Sequence, residues 1–444
     1  MTKIVLIGAN HAGTAAANTI LDNYPDASLV IFDRNSNISY LGCGTALWVG
    51  RQIDDPQSLF YCSAEKLEAR KAVVHMETEV TDIDFAQKLV KAVDKDGHEI
   101  EEAYDKLILA TGSLPIVPKI QGLTLPNVQS VKLFQDGARI DRALDAEEVQ
   151  SVAVVGAGYI GVEIAEAIQR RGKHALLFDV ADGSLTGYYD DWFSKDMDEV
   201  LRKNGVELHY NEAVTAIRGT QAVSAITTNK GEYAVDMVIL CIGFVPNSVL
   251  GKGTLATIAN GAYLVDKTQQ TSLADVYAIG DCATVYNNAL QGSNYVALAT
   301  NAVRSGIVAA HNACGAHTES IGVQGSNGIH IFGYNMVSTG FNLTAAKKAG
   351  FDATYTQYED LQKPSFVTAE NAPVKLRIVY DQSTRRILGA QMASTYDISM
   401  GIHMFSLAIE EGVTIDKLKL LDIFFLPHFN QPYNYITMAA LAAK

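Results

Sequence analysis

Short, uninterrupted apolar runs recur along the chain, as is typical of strands buried on both faces of a parallel sheet. Two of these runs, at residues 4–7 and 152–155, each lead into a glycine-bearing turn and a helix-like segment. A second apolar run closes each unit, at residues 29–32 and 175–178. The pattern predicts an α/β protein that contains two β–α–β units of the same design.

Both turns have the spacing of a dinucleotide-binding turn, G-x-N-x-x-G in the first unit and G-x-G-x-x-G in the second. The first glycine permits a tight turn, the middle position lets the backbone approach a pyrophosphate, and the third lets helix and strand pack closely. Asn10 replaces the middle glycine of the first turn; because Asn tolerates unusual backbone angles, we expect the turn to survive. The turn residues are Gly8, Asn10 and Gly13, and Gly156, Gly158 and Gly161.

Each unit ends on an acid placed to accept hydrogen bonds from a ribose, Asp33 in the first and Asp179 in the second. A carboxylate at Asp179 repels the 2′-phosphate of NADP, and no Arg or Lys follows at residues 180–182, so the second unit favours NADH. A single unit of this kind could also be an ordinary glycine-rich turn, as found in any α/β protein. Two complete units predict two dinucleotides on one chain, and hence electron transfer between them.

Composition narrows the class of protein. At 444 residues the chain is too long for one ordinary core. Its formal net charge is −14 and no basic run occurs, which argues against nucleic acid and anionic membranes as partners. The start of the chain lacks a signal-peptide pattern and no apolar run has membrane-spanning length, so we expect a cytoplasmic protein. Five scattered cysteines without a Cys-x-x-Cys pair predict neither a disulfide framework nor a zinc site.

The remaining segments suggest how the domains are arranged. Apolar runs at 107–112 and 238–243 each end at a glycine and are followed by a proline, as when a chain leaves a domain. Residues 276–281 read as a strand that ends in Gly-Asp; this is either a simple turn or a return to the first domain. From about 323 onward there is no dinucleotide turn, and the aromatic tract 424–435 fits a core or, preferably, an interface.

These motifs resemble the two-dinucleotide flavoprotein disulfide reductase family over essentially the whole chain. The resemblance implies two Rossmann-like dinucleotide-binding domains of the disulfide reductase type plus an α+β C-terminal dimerisation domain. It places an FAD-binding domain at 1–117 and 247–322, an NAD-binding domain at 118–246 and the dimerisation domain at 323–444. It also implies a homodimer in which the aromatic tract approaches the partner's flavin.

The same resemblance assigns binding residues to both cofactors. For FAD they are Gly8, Asn10, Gly13, Asp33, Cys43, Ala110, Thr111, Gly112, Gly280 and Asp281. For NADH they are Gly156, Gly158, Tyr159, Ile160, Gly161, Glu163, Asp179 and Gly243. In the family, the counterpart of Tyr159 shields the flavin until nicotinamide displaces it. For Tyr159 and Glu163 the alternative is ordinary helix packing.

A single cysteine distinguishes the branch of the family. Many members carry a Cys-x-x-x-x-Cys pair, but here Trp48 stands where the partner of Cys43 would be. A lone cysteine, His11 in the first turn and the aromatic tail resemble the NADH oxidase, NADH peroxidase and coenzyme A disulfide reductase branch, and most closely its water-forming NADH oxidases. The resemblance implies that two NADH reduce O2 to water through FAD, with H2O2 as an intermediate.

Cys43 and His11 are the candidate catalytic residues. The sequence around Cys43 predicts the N-terminal end of a helix, where the helix dipole lowers the pKa of a thiol. A thiolate cleaves the O–O bond of peroxide and becomes a sulfenic acid. His11 would orient peroxide by hydrogen bonding. The alternatives are that Cys43 is a packed structural cysteine and that His11 is a helix-start histidine satisfied by the backbone. Cys282 follows Gly280 and Asp281 and could approach the flavin, but a small packed residue is the favoured interpretation.

Four functions remain open under this resemblance. The favoured one is an NADH oxidase that forms water with a Cys43 thiolate and sulfenic acid cycle. An NADH peroxidase would consume peroxide but react slowly with oxygen. A coenzyme A disulfide reductase fits less well because its tail differs. A redox-sensing module would bind FAD without turnover.

Overall fold

The protein, seen in a computed structural model that describes residues 2–444, is built on three five-stranded sheets. Two sheets are parallel and the third is antiparallel. This arrangement confirms the predicted fold class. Within the described residues no helix is both long and apolar enough to cross a bilayer.

The first sheet is parallel, with strand order β18-β7-β1-β2-β3. Its strands are β1 (Lys3–Ile7), β2 (Ser28–Phe32), β3 (Val73–His75), β7 (Lys106–Leu109) and β18 (Val276–Ala278). Because β18 pairs with β7, the chain returns to this sheet after the second unit, as the Gly-Asp strand predicted. Its helices are α1 (His11–Asn23), α2 (Thr45–Val49), α3 (Ala64–Glu68) and α7 (Ala299–Ala313).

The second sheet repeats the design with strand order β12-β11-β10-β16-β9. Its strands are β9 (Val128–Ser130), β10 (Ser151–Val155), β11 (His174–Phe178), β12 (Glu207–His209) and β16 (Met237–Leu240). Its helices are α4 (Phe134–Asp145), α5 (Tyr159–Arg170) and α6 (Asp191–Lys203). Strand β9 forms one edge of this sheet, where it pairs in parallel with β16.

Two connecting segments pair with each other where the chain crosses between the parallel sheets. Strand β8 (Ser113–Pro115) runs antiparallel to β17 (Phe244–Pro246). Each lies just after the glycine that ends its own unit. The smaller sheets contain β4 (Thr78–Asp84), β5 (Leu89–Asp94) and β6 (Glu99–Ala103); β13 (Val214–Gly219), β14 (Val223–Thr228) and β15 (Glu232–Ala234); and β19 (Val285–Asn287) and β20 (Gly292–Asn294).

The third sheet is antiparallel, with strand order β21-β22-β25-β24-β23. Its strands are β21 (Asn327–Ile331), β22 (Tyr334–Gly340), β23 (Ala353–Leu361), β24 (Pro373–Asp381) and β25 (Ile387–Ser394). Its helices are α8 (Leu343–Lys348), α9 (Ile402–Glu410), α10 (Ile415–Leu418) and α11 (Tyr435–Leu441). The domain boundaries at 117, 246 and 322 stay predictions.

Both parallel sheets are buried on two faces, which explains their uninterrupted apolar runs. Ile4 and Leu6 of β1 pack in one core cluster and Val5 in another, on the opposite face. In β10, Val154 and Ala153 divide between two clusters in the same way. The carboxyl ends of these strands stay open, and there the two glycine turns lie.

Candidate active site

The first glycine turn is held by backbone hydrogen bonds and by Asp33. The Gly8 N–H donates to the Phe32 carbonyl at 2.8 Å. The Ala9 N–H donates to the Asp33 carboxylate at 2.7 Å, and the Asn35 N–H donates to its other oxygen at 2.8 Å. The acid therefore shapes the turn while leaving lone pairs free for a ribose.

The second turn has the same bonds, residue for residue. The Gly156 N–H donates to the Phe178 carbonyl at 2.7 Å. The Ala157 N–H donates to Asp179 at 2.6 Å, and the Ala181 N–H donates to its other oxygen at 2.8 Å. The duplication predicted from sequence thus extends to the hydrogen bonds of the turn.

The glycines of the turns differ in what they require. Gly8 and Gly156 have φ of +96° and +105°, and a Cβ on either would lie 2.3 or 2.4 Å from a carbonyl oxygen. Gly158 has φ −75°, and a Cβ there would meet nothing within 4 Å. Asn10, at the matching position, has φ −83°. The middle position therefore needs no unusual backbone angle, so the special tolerance expected of Asn10 is not what preserves the turn.

One continuous cavity of about 1510 Å³ joins the two turns. Typical small-molecule pockets measure about 300–1,000 Å³, so this one has room for more than one ligand. All the predicted cofactor residues line it except Gly13 and Gly161. A Cβ on those two would lie 1.9 and 1.8 Å from the carbonyl oxygens of Gly8 and Gly156, so they serve helix–strand packing.

Asp281 lies in a polar network that the sequence did not reveal. The Ser113 hydroxyl donates to the Asp281 carboxylate at 2.9 Å. The Lys132 ammonium donates to the Ser113 hydroxyl at 2.7 Å and lies 3.6 Å from the Asp281 carboxylate. All three line the cavity. Lys132 follows β9, far from any glycine turn, so spacing gave no signal for it.

Cys43 lies on the cavity wall in a 3₁₀ turn, Gly42–Gly44, that leads directly into α2. Burial, followed by the Glu163 carboxylate, raises the pKa of its thiol. The prediction of a lowered pKa is therefore wrong for this chain. Helix α2 has only five residues, and its small dipole is outweighed by the crowded wall and the acid facing it. Among the described residues all five cysteines are free.

Trp48, in the position of a missing second cysteine, fixes the helix that follows Cys43. Its side chain is buried and its ring stacks on Phe134 of α4, with centroids 5.0 Å apart. It also lies against Gly137, where a Cβ would come within 2.7 Å of the indole. The residue thus ties α2 to the second dinucleotide unit.

His11 begins α1 and faces the same cavity as Cys43. Its Nδ1 lies 3.1 Å from the Tyr61 hydroxyl, and the two rings stack with centroids 5.9 Å apart. Burial lowers the pKa of His11, so its ring is neutral at pH 7. If the Tyr61 hydroxyl donates to Nδ1, then Nε2 carries the proton and can donate into the cavity. Tyr61 was not anticipated from sequence.

The second turn places Tyr159 and Glu163 one helical turn apart on α5, and both line the cavity. Burial and the nearby Glu166 carboxylate raise the pKa of Glu163 to about 7. Tyr159 packs edge-on against Tyr188, with ring centroids 4.6 Å apart. Glu163 therefore lies near Cys43 while Tyr159 adjoins the second turn, so α5 forms the wall between the two sites.

The other cysteines divide by location. Cys282 is fully buried, and its thiol donates to the carbonyls of Leu109 and Ile279 at 3.4 and 3.2 Å, as expected of a packed residue. Cys241 lines the cavity, and burial raises the pKa of its thiol to about 12.

Comparison with known proteins agrees with this geometry. The pyridine nucleotide-disulphide oxidoreductase family model matches residues 2–306, and the dimerisation domain of the same family matches residues 328–434. The chain is 57% identical to an NADH oxidase of Streptococcus pyogenes and 58% identical to one of Lactococcus lactis, with full coverage of each chain.

A solved structure is also similar along the whole chain. The water-forming NADH oxidase from Lactobacillus brevis, bound to NADH, superposes with a TM-score of 0.96 at 37% identity, covering 100% of this chain and 98% of that one. With two duplicated turns on one cavity and family matches over most of its length, this chain belongs to the pyridine nucleotide-disulphide oxidoreductase family.

Proposed function

We propose that the protein is an FAD-dependent NADH oxidase that reduces dioxygen to water. The observation that carries the proposal is the single cavity that runs from the second glycine turn, past α5, to the first turn and Cys43. Its relatives in Streptococcus and Lactococcus are NADH oxidases at more than half identity, which supports the same activity here.

The residues present fit both cofactors. The first turn offers helix N–H groups and the Asp33 carboxylate to a dinucleotide, with Lys132 supplying a cation on the cavity wall. The second turn offers the same groups with Asp179, and no cation for a 2′-phosphate follows at 180–182. Bound FAD would supply two-electron chemistry between NADH and oxygen.

Cys43 would complete the reduction to water. Its thiolate attacks one oxygen of hydrogen peroxide, forming an S–O bond as the O–O bond breaks, and the departing hydroxide takes a proton to become water. Two further electrons and two protons, from a second NADH and solvent, break the S–O bond and release the second water. In sum, the first NADH supplies the electrons that reduce O2 to hydrogen peroxide and the second those that reduce the sulfenic acid, so that one O2, two NADH and two protons give two waters and two NAD⁺.

The charges around Cys43 bear on this step. Glu163 and Asp281 raise the pKa of its thiol and Lys132 lowers it. Neutral His11, on the same wall, would donate a hydrogen bond to peroxide and orient it towards the sulfur. Because Trp48 stands where a resolving cysteine would be, a sulfenic acid on Cys43 has no cysteine in its own segment with which to form a disulfide.

The C-terminal domain would form a homodimer. Several aromatic side chains of the 424–435 tract are exposed in the single chain, including Phe424 at 66% and Tyr433 at 70%. So large an exposed apolar group on a tail is typical of an interface. The match of residues 328–434 to a dimerisation domain supports this assignment. A monomer in analytical ultracentrifugation at micromolar concentration would contradict it.

The ratio of oxygen to NADH consumed tests the function. An oxygen electrode with NADH absorbance should give one O2 per two NADH and no free peroxide. In Cys43→Ser the ratio should become one to one, with peroxide accumulating. Cys314→Ser, a half-buried thiol outside the cavity, is the matched control and should keep the wild-type ratio.

Other outcomes identify other functions. Peroxide-dependent NADH oxidation with slow oxygen turnover would indicate a peroxidase. Turnover only with coenzyme A disulfide would indicate the reductase. Water formation by Cys43→Ser without detectable peroxide would show that the cysteine step is wrong.

A further inference from the structure

The side chain of Asn327 links the third sheet to the tyrosines of the second cofactor site. Asn327 begins β21, and together with Tyr159 it lines the cavity. Its Oδ1 accepts a hydrogen bond from the Tyr159 hydroxyl and one from the Ser338 hydroxyl at 3.0 Å. The Tyr189 hydroxyl lies farther from this oxygen, at 3.4 Å.

The orientation of this amide is fixed by its other end. Asn327 Nδ2 donates to the Gly325 carbonyl at 2.8 Å, so the oxygen must face the hydroxyls. A carbonyl oxygen has two lone pairs, which Tyr159 and Ser338 fill. The Tyr189 hydroxyl instead lies 2.9 Å from the Tyr159 hydroxyl, whose one proton is donated to Asn327. Burial raises the pKa of Tyr159, so its hydroxyl keeps the proton that it donates.

Tyr189 and the residue after it, Asp190, are held in place by the third sheet. Tyr189 is buried, and the Asp190 N–H after it donates to the Gln391 side chain at 2.8 Å. The Asp190 carboxylate accepts from Gln391 at 2.9 Å and lies 3.2 Å from the Arg377 guanidinium. This buried network fixes Tyr189, so it is not the side chain that yields to an entering ligand.

Tyr159 is held differently. It follows Gly158, where the backbone borders open space, and its ring packs on Tyr188, which is 47% exposed. Of the contacts described, those with Asn327 and Tyr189 are the ones that hold its hydroxyl. Since Glu163, one turn along, lies near Cys43, the Tyr159 ring borders the passage between the two sites.

We propose that Asn327 is a positioning residue that holds the Tyr159 ring across this passage, and that NADH must break their hydrogen bond to reach the first site. The proposal rests on the proposed function, because it takes NADH to be the ligand that enters. A net hydrogen bond changes a binding constant by about two- to tenfold. Removing it should therefore tighten dinucleotide binding by that factor.

The test compares the holoenzyme with Asn327→Leu, which has a similar shape and no acceptor. We expect the KM for NADH and the inhibition constant of NAD⁺ to fall by about two- to tenfold, with kcat within about twofold. Asn335→Ala is the matched control, because Asn335 lies on the same hairpin but bonds to His330 and the Tyr396 carbonyl, outside the cavity.

A double-mutant cycle separates positioning from general structure. Tyr159→Phe should tighten NAD⁺ binding as Asn327→Leu does, and the double variant should gain nothing more. Unchanged constants in Asn327→Leu, or a full effect in the Tyr159→Phe background, would overturn the proposal. If Asn327→Leu fails to retain FAD, Tyr159→Phe alone decides, since it removes the same bond. If the wild-type protein did not oxidise NADH at all, the proposed function itself would be refuted instead.

Discussion

Substituting alanine in the second turn separates glycines needed for backbone shape from glycines needed for space. In Gly156→Ala the new Cβ would lie 2.4 Å from the Cys241 carbonyl oxygen at a φ of +105°. The left-handed backbone costs about 1–2 kcal/mol and the overpacking about 1–3 kcal/mol, or roughly 2–5 kcal/mol together. Since the unfolding entropy of a chain of 444 residues is roughly 0.9 kcal/mol/K, we expect a fall in Tm of about 2–5 °C.

Gly158→Ala is the matched comparison. Its Cβ meets nothing within 4 Å and its φ of −75° suits alanine. Stability should therefore hold or rise by about 0.4–1 kcal/mol, because the unfolded chain loses freedom. The methyl group, however, would point into the cavity where the pyrophosphate must approach the backbone. We expect the KM for NADH to rise at least about tenfold, the effect of losing roughly 1.4 kcal/mol of binding.

Thermal melting, flavin absorbance of the purified protein and the KM for NADH are the measurements. Both variants should retain FAD, because the first turn is untouched. The reasoning fails if Gly158→Ala melts as early as Gly156→Ala. It also fails if Gly158→Ala binds NADH as tightly as the wild type.

Two further predictions concern the surroundings of Cys43. Trp48→Ala, which empties the buried contact with Phe134, should destabilise the protein by about 3–5 kcal/mol in denaturant unfolding; an equal loss in the exposed neighbour variant Leu47→Ala would refute this. Because burial and Glu166 raise the pKa of Glu163 to about 7, ionisation destabilises the fold as pH rises from about 4.5 to 7. The Tm of Glu163→Gln should therefore exceed that of the wild type at pH 8 and match it at pH 4; a constant difference would contradict this reasoning.

The sequence predicts this site well wherever function depends on local spacing. The turns, their acids and the strands that precede Gly112 and Gly243 recur in the same order twice, and both glycines line the cavity. Even Gly13 and Gly161, which leave the cavity wall, do so for the packing reason that defines the third position of the turn. Such residues are predictable because their neighbours in space are also their neighbours in sequence.

Other residues of the site carry no local pattern. Lys132 and Ser113 reach Asp281 from the crossing segments, and Tyr61 reaches His11 from a loop. Asn327 reaches Tyr159 from a different sheet. Each is an ordinary polar residue in its own segment, and only the packing of domains brings it to the cavity. Spacing rules, which describe one element at a time, cannot find them.

The pKa of the Cys43 thiol also depends on residues that are distant in sequence. Its own segment, a glycine-flanked cysteine before a helix, predicts a lowered pKa, and the helix is indeed there. The opposite shift arises because burial and the carboxylate of Glu163, from the second dinucleotide unit, outweigh a five-residue helix. Lys132, from the segment between the units, pulls the pKa back down. The protonation of Cys43 therefore depends on how the two units pack together, and neither unit alone contains that information.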